Sequence, residues 1–372
     1  MRERGCSEEE LFSFLSLKKG EDLGYRRVLS SMCTTPHPIA ARVHAQFLES
    51  NLGDPGLFPG TTSLEELLVQ RLADLMHLPS AGGYATSGGT ESNIQALRIA
   101  KKHRKASSPN IVVPASGHFS FEKACDILSL EMRTVPLDRN YRMDPAELDA
   151  RVDKNTVCIV GVVGTTEYGM VDPIPKLAEI AESRGVFLHV DAAFGGMVLP
   201  FLEHTIPFDF AVPGVSSISV DPHKMGMSTV PAGCLLVRDS RLFRCLNVET
   251  PYLTVKQECT LAGTRPGASV AAALAVLEYL GREGMRAVVH GCMENCRRLI
   301  EGMETFGYPR AVTPDVNVAT FTCDRAPDGW RVSRTRNGHM RIVCMPHVHR
   351  DVVESFLRDV GEMNAAETDP IA

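Results

Sequence analysis

No apolar run in this chain approaches the length of a membrane span, which argues against an α-helical membrane protein. Neither sign of charge dominates: 39 Lys and Arg stand against 45 Asp and Glu, a net charge of -6. With a pI near 6.1, the chain gives no electrostatic reason to expect nucleic acid or anionic lipid as a partner. The eleven cysteines lack any zinc-ribbon spacing. Cys292 and Cys296 lie one helical turn apart but have no paired ligands, so they read as core, as do Cys158, Cys234, Cys323 and Cys344. The start, Met1-Arg2-Glu3-Arg4 before an acidic cluster, lacks the pattern of a signal peptide. A reducing cytoplasm is the expected location. There is no internal repeat and no low-complexity tract.

What is present is an ordinary globular composition, 44% apolar and 23% charged over 372 residues, enough for one large and one small domain. Residues 7–19 read as a helix capped by Ser7, with Leu11, Phe14 and Leu15 in a stripe. Thr35-Pro36-His37-Pro38 is held extended by its prolines, and a short helix follows over Ala40 to Glu49. The loop Asn51 to Gly60 is dense in turn residues. This arm is expected on a second subunit, the alternative being a plain surface loop. A helix opens at Thr62-Ser63-Leu64-Glu65-Glu66.

From there the chain alternates strand and helix. Strands are expected at Ile111–Val113, Arg133–Pro136, Val157–Val163, Val186–Val190, Asp209–Val212, Ser216–Val220 and Gly233–Val237. Helices are expected at 91–102, 120–130, 144–152 and 173–184. Such alternation implies a mostly parallel sheet covered on both faces. Beyond it lie a helix to Gly281, a helix over 283–305, strands near 317–322, 331–334 and 340–345, and a helix over 347–364. The tail from Ala365 is expected to fray.

The residues that carry chemistry fall at the carboxyl ends of strands, the ligand-binding rim of an open α/β sheet. Ser116-Gly117-His118, Gly164-Thr165-Thr166-Glu167, His189-Val190-Asp191-Ala192-Ala193 and Asp221-Pro222-His223-Lys224 each follow an apolar run. Upstream, Thr86-Ser87-Gly88-Gly89-Thr90 opens a helix, where bare N–H groups and the positive helix end suit an anion. No Gly-Lys-Ser/Thr follows, so this is not a Walker motif. A lysine, an acid and an anion cradle are what pyridoxal 5'-phosphate (PLP) requires for its aldehyde, its ring nitrogen and its phosphate. A metal-dependent hydrolase using His189, Asp191 and His223 is a competing reading, although the spacing lacks the tight helical pairing of many zinc sites. A binding module without catalysis is the third.

These motifs, with Asn51-Leu52-Gly53-Asp54 before them and Arg341-Ile342-Val343 after them, resemble the group II PLP-dependent decarboxylases of fold type I. Within that group they look most like the archaeal L-tyrosine/L-aspartate decarboxylase branch. The resemblance runs over nearly the whole chain. It implies an α/β, aspartate-aminotransferase-like fold with a mostly parallel seven-stranded sheet and a small C-terminal α+β domain. The expected division is an arm over 1–60, a PLP-binding domain over 61–267 and a small domain over 268–372.

The resemblance also implies roles. Lys224 would carry the cofactor as a Schiff base, Asp191 would pair with the pyridine nitrogen, and His118 would stack on the ring with Ala193 on the other face. Gly89 and Thr90 would hold the phosphate with help from His223, while Thr264 would reach the phosphate of the partner in a homodimer. Thr166 would bond near the cofactor hydroxyl or the substrate carboxylate, and Arg341 would grip the α-carboxylate. Tyr252 would return the proton to carbon, and His37 and Asn51 would wall the side-chain pocket. No metal is expected. The implied reaction is decarboxylation of L-tyrosine to tyramine, a methanofuran precursor, or of L-aspartate to β-alanine, a coenzyme A precursor. A sphingosine-phosphate-lyase-like aldehyde lyase or an aminotransferase on the same scaffold is the alternative.

Overall fold

The computed structural model describes residues 1–368 apart from 79, 81, 205 and 324. Three helices come first: α1 (Glu8–Gly20), α2 (Pro38–Gln46) and α3 (Pro59–Leu75). Then β1 (Gly83–Thr86) leads into α4 (Gly89–His103), β2 (Asn110–Pro114), α5 (Ser120–Leu128), β3 (Glu131–Val135), α6 (Pro145–Arg151) and β4 (Thr156–Val162). Next come α7 (Ile174–Arg184), β5 (Phe187–Asp191), β6 (Val215–Val220) and β7 (Gly233–Val237). A small hairpin, β8 (Val248–Glu249) and β9 (Gln257–Glu258), precedes the long α8 (Gly267–Thr305). The chain closes with β10 (Val318–Phe321), β11 (Ser333–Arg334), β12 (Met340–Val343) and α9 (Arg350–Thr368).

Seven strands form one sheet in the order β1-β7-β6-β5-β4-β2-β3. The pairs among β3, β2, β4, β5 and β6 are parallel, while β7 runs antiparallel to both β6 and β1. Sheet strands β2, β4, β5 and β7 are buried along their whole length, as expected where helices cover both faces. Helices α4 and α5 pack over one face around Leu97, Phe121 and Val160. On the other face a second core runs from Leu72 and Leu188 on into the C-terminal part at Val318 and Phe356. There β10, β12 and β11 form a separate antiparallel sheet.

The seven strands are not the seven expected. Residues 209–212 form a turn, because their carbonyls face a cation rather than a neighbouring strand. Arg238 donates from Nη2 to the Phe210 and Val212 carbonyls at 2.9 and 2.8 Å, and from Nε to that of Val215 at 2.7 Å. The missing strand is β1, a four-residue edge strand whose Gly-Tyr-Ala-Thr merges in the sequence with the glycine-rich cradle. The long α8 breaks where the two helices were expected to meet, at Gly281, whose φ of 58° and ψ of -171° are not helical. The last helix continues to Thr368, and residues 369–372 of the tail expected to fray lie outside the described residues.

Two features of the arm matter later. Helix α1 buries none of its residues, and Phe12, Phe14 and Leu17 stand more than half exposed at 58%, 54% and 66%. Residues 28–34 instead lace onto the C-terminal part. The Val343 N–H donates to the Leu29 carbonyl at 2.8 Å, His347 Nε2 to the Val28 carbonyl at 2.9 Å, and Thr34 Oγ1 pairs with His347 Nδ1 at 2.9 Å. Among the described residues no helix is long and apolar enough to cross a membrane.

Candidate active site

Where β1, β5 and β6 end, a cavity of about 270 Å³ opens, lined among others by Gly88, Gly89, Thr90, Asn93, His118, Thr166, Asp191, Ala193, Asp221, His223 and Lys224. Its anion end is built from backbone. Gly88 has φ 150°, a conformation only glycine adopts easily, and a Cβ there would lie 3.1 Å from His223 Cε1. A Cβ on Gly89 would meet Ala193 Cβ at 3.0 Å and Asp221 Oδ2 at 3.2 Å. Glu91 turns back to accept from the Ser87 N–H at 2.8 Å, and Gly89 and Thr90, at the helix start where N–H groups have no intrahelical partner, line the cavity. His223 is fixed by the Ala232 carbonyl at its Nδ1.

The basic and acidic groups line the same cavity, with Asp221 beside Gly89. Lys224 Nζ lies 3.1 Å from Asp221 Oδ2. Burial opposes its charge, but the carboxylates of Asp221 and Asp191 outweigh that and raise the ammonium above its ordinary pKa. Asp221 is itself buried, and its Oδ1 has no hydrogen-bond partner among the described residues. Asp191, at the end of β5, accepts from Asn93 Nδ2 at 2.9 Å, Ser219 Oγ at 3.2 Å and the Ala193 N–H at 3.2 Å. His118 is oriented by the Ser120 N–H on its Nδ1 at 3.2 Å. Burial lowers its pKa, and Asp191 and Asp221 only partly offset this, so the ring is neutral near pH 7. A flat neutral ring, an amine, a buried carboxylate and a cradle that a Cβ would fill together fit PLP.

A family model described as the pyridoxal-dependent decarboxylase conserved domain matches residues 37–318. The chain belongs to the pyridoxal-dependent decarboxylases. It is 78% identical over 365 residues to the probable L-tyrosine/L-aspartate decarboxylase of Methanoculleus marisnigri, covering 98% of this chain and 100% of that protein. It is 48% identical to the probable L-aspartate decarboxylase of Archaeoglobus fulgidus, covering 94% and 98%. Among solved structures, sphingosine-1-phosphate lyase of Burkholderia pseudomallei superposes with TM-score 0.89 at 27% identity, covering 99% of this chain and 92% of that one. Glutamate decarboxylase of Lactobacillus brevis superposes with TM-score 0.91 at 22% identity, covering 100% and 95%. The fold is therefore PLP fold type I, the cofactor is PLP, and the chain is a PLP-dependent carboxy-lyase acting on an amino acid.

In this decarboxylase the cavity gathers Gly89, Thr90, His118, Thr166, Asp191, Ala193, His223 and Lys224. Five other expected site residues do not line it. Tyr252 stands 85% exposed in the β8–β9 loop, and Thr264 is exposed too. His37 caps α2 through its Nδ1 and tilts against Tyr279. Asn51 Oδ1 accepts from the N–H groups of Gly53 at 2.9 Å and Arg265 at 3.2 Å, a structural bridge rather than a pocket wall within this chain. Arg341 is buried behind Thr166, donating to its carbonyl at 2.9 Å and to that of Ser30, with Nε unpartnered. Burial lowers its pKa to about 10, although Glu167 opposes this.

The competing metal reading loses its geometry. Both ring nitrogens of His189 are engaged, with Ser217 Oγ and Asn93 Oδ1, and burial lowers its pKa to about 4. Sequence reasoning passed over Asn93, which lies one helical turn after Gly89 and so faces the same side of α4. It also passed over the buried pair Glu65 and Arg265, which no motif marks.

Proposed function

We propose that this enzyme decarboxylates L-tyrosine to tyramine, L-aspartate to β-alanine, or both, in a homodimer whose two chains share each active site. The observation that carries the catalytic reading is the convergence of Lys224, Asp221 and Asp191 on the one cavity that the Gly89–Thr90 cradle also lines. The choice of substrates follows the printed names of the archaeal relatives.

Lys224 would hold the cofactor aldehyde, Asp191 its ring nitrogen, and Gly89, Thr90 and His223 its phosphate. His118 and Ala193 enclose the ring, and Thr166 bonds at its hydroxyl edge. Bound there, PLP supplies the sink for the electron pair left when carbon dioxide departs. The chain's share is orientation and proton transfer. The Arg341 fork now rests on two backbone carbonyls, and a substrate carboxylate, a stronger and bidentate acceptor, draws it away. That grip would fix the orientation of the α-carboxylate and so of the bond that breaks. Asp221 Oδ2, 3.1 Å from Lys224 Nζ, would take and return a proton at that nitrogen. The partner's Tyr252 delivers the proton that replaces carbon dioxide at Cα, and the partner's Thr264 reaches the phosphate.

The exposed apolar α1 and the exposed Tyr252 support the dimer. Thr254, in the Tyr252 loop, donates through its N–H to Asp54 at 3.1 Å, which ties that loop to the arm. The test is carbon dioxide release by the PLP-loaded protein with L-tyrosine, L-aspartate and L-glutamate side by side. Release with tyrosine or aspartate is expected. Aldehyde or keto-acid formation without carbon dioxide would move the enzyme to the lyase or aminotransferase reading.

A further inference from the structure

Asn93 and His189 have no part in the steps above, yet they join Asp191 in one buried hydrogen-bonded chain. Asn93 is 1% exposed and His189 is fully buried. Asn93 Nδ2 lies 2.9 Å from Asp191 Oδ2 and 2.9 Å from Ser120 Oγ; Asn93 Oδ1 lies 2.9 Å from His189 Nε2; and His189 Nδ1 lies 2.8 Å from Ser217 Oγ.

The direction of every bond follows from chemistry. A carboxylate only accepts, so the Asn93 atom facing Asp191 is the amide nitrogen. The amide oxygen then faces His189, and because it only accepts, His189 Nε2 must carry the hydrogen. A neutral imidazole has one N–H, so Nδ1 is bare and accepts from the Ser217 hydroxyl. Each link fixes the next, and the chain ends with an N–H pointed at Asp191. An asparagine amide is otherwise nearly symmetric in shape. Turned over, it would set its oxygen against Asp191 Oδ2 at the same 2.9 Å, acceptor against acceptor.

We propose that Asn93 is a positioning residue for the reaction, its amide locked by His189 and Ser217 so that the Asp191 carboxylate is held toward the PLP ring nitrogen. The proposal rests on the assignment of Asp191 to that nitrogen made under Proposed function. Donors from Asn93 and Ser219 engage both oxygens of Asp191 and so fix the orientation of its carboxylate toward the ring nitrogen. Removing the lock leaves a bare buried oxygen on Asn93 and lets the amide turn.

The test uses holoenzyme reconstituted with PLP labelled with nitrogen-15 in the ring, whose chemical shift reports protonation at that atom. Asn93→Leu and His189→Leu are expected to move the shift toward the unprotonated position. They should weaken PLP binding about tenfold and lower kcat about ten- to a hundredfold with KM little changed, the range expected for losing a hydrogen bond to a buried charge. His189→Gln keeps an N–H donor near Nε2 and is expected to retain the wild-type shift. Should His189→Leu fail to fold, Asn93→Asp replaces the donor by an acceptor at nearly constant shape and gives the same reading. A wild-type shift in Asn93→Leu and Asn93→Asp would overturn the proposal, as would equal shifts in His189→Gln and His189→Leu. Asp191→Ala separates the levels. A ring that stays protonated there overturns the Asp191 assignment, and the relay with it. A ring deprotonated there but protonated in the Asn93 variants refutes the relay alone.

Discussion

Breaking the buried pair Glu65–Arg265 should cost this fold more than any other single ion pair. Arg265 is 7% exposed and Glu65 8%. Arg265 Nη2 donates to Glu65 Oε2 and to the Leu52 carbonyl, each at 3.1 Å; Nη1 donates to Glu65 Oε1 and, at 3.1 Å, to the Ala85 carbonyl. Glu65 Oε1 in turn accepts from the Ala85 N–H at 2.9 Å. The pair thus binds α3, the edge strand β1 and the loop after Leu52 into one joint, two residues before the cradle begins at Ser87. Glu65→Gln leaves the guanidinium buried without a counter-charge, a loss of about 3–5 kcal/mol. At about 2.1 cal/mol/K of unfolding entropy per residue, a chain of 372 residues loses about 1.3 °C per kcal/mol, so Tm should fall by about 4–6 °C. Differential scanning calorimetry of the apoprotein checks this. The double variant Glu65→Leu with Arg265→Met removes both charges and should recover most of the loss. A Glu65→Gln protein within 1 °C of wild type would refute the reasoning.

Four further outcomes are expected. Lys224→Ala should abolish carbon dioxide release and the visible absorbance of lysine-bound PLP; a variant retaining both removes Lys224 from the mechanism. Mixing Lys224→Ala with Tyr252→Phe chains should restore activity, because one hybrid site then has an intact lysine and an intact partner tyrosine; no restoration would mean that each site is built within one chain. In the apoprotein, Asp221→Asn should lower stability at neutral pH. The folded-state pKa of Lys224 is raised, so this contribution is present below about pH 10.5 and fades as pH rises through the folded value; urea melts at pH 8 and above pH 11 should show the gap close. For His189 the sign is reversed: its folded pKa is depressed to about 4, so wild type loses stability as pH falls from 6.5 toward 4, by about 3 kcal/mol, relative to His189→Gln in the same melts. A pH-independent difference would show that His189 titrates freely.

Much of the site could be read in the sequence because strand-end loops announce themselves. An apolar run followed by Asp191-Ala192-Ala193 or His223-Lys224 places its polar residues at the rim whatever the rest of the chain does. Of the parallel strands, β2, β4 and β5 were legible for the same reason, being largely apolar runs buried along their whole length. β1 was not, because four residues next to two glycines carry too little pattern, and 209–212 misled because Phe210 and Val212 are buried without being paired as a strand. Asn93 and the Glu65–Arg265 pair were hidden for another reason. Their partners lie 98 and 200 residues away, and nothing local distinguishes a buried polar side chain from a solvated one. Arg341 shows the limit of a motif. The residue is where the strand pattern puts it, but what its guanidinium holds is set by Ser30, 311 residues earlier.

That last contact bears on the order of assembly during synthesis. The last strand of the seven-stranded sheet ends at Val237, so a chain still on the ribosome can complete the sheet and most of the cradle with what has already emerged. It cannot seat Arg341, nor give residues 28–34 their partners, since Val28 and Thr34 wait for His347 at separations of 319 and 313 residues. The arm is made first and docked last. Closing so long a loop is slow and comes late. By this order the cavity at the strand ends precedes the seating of Arg341.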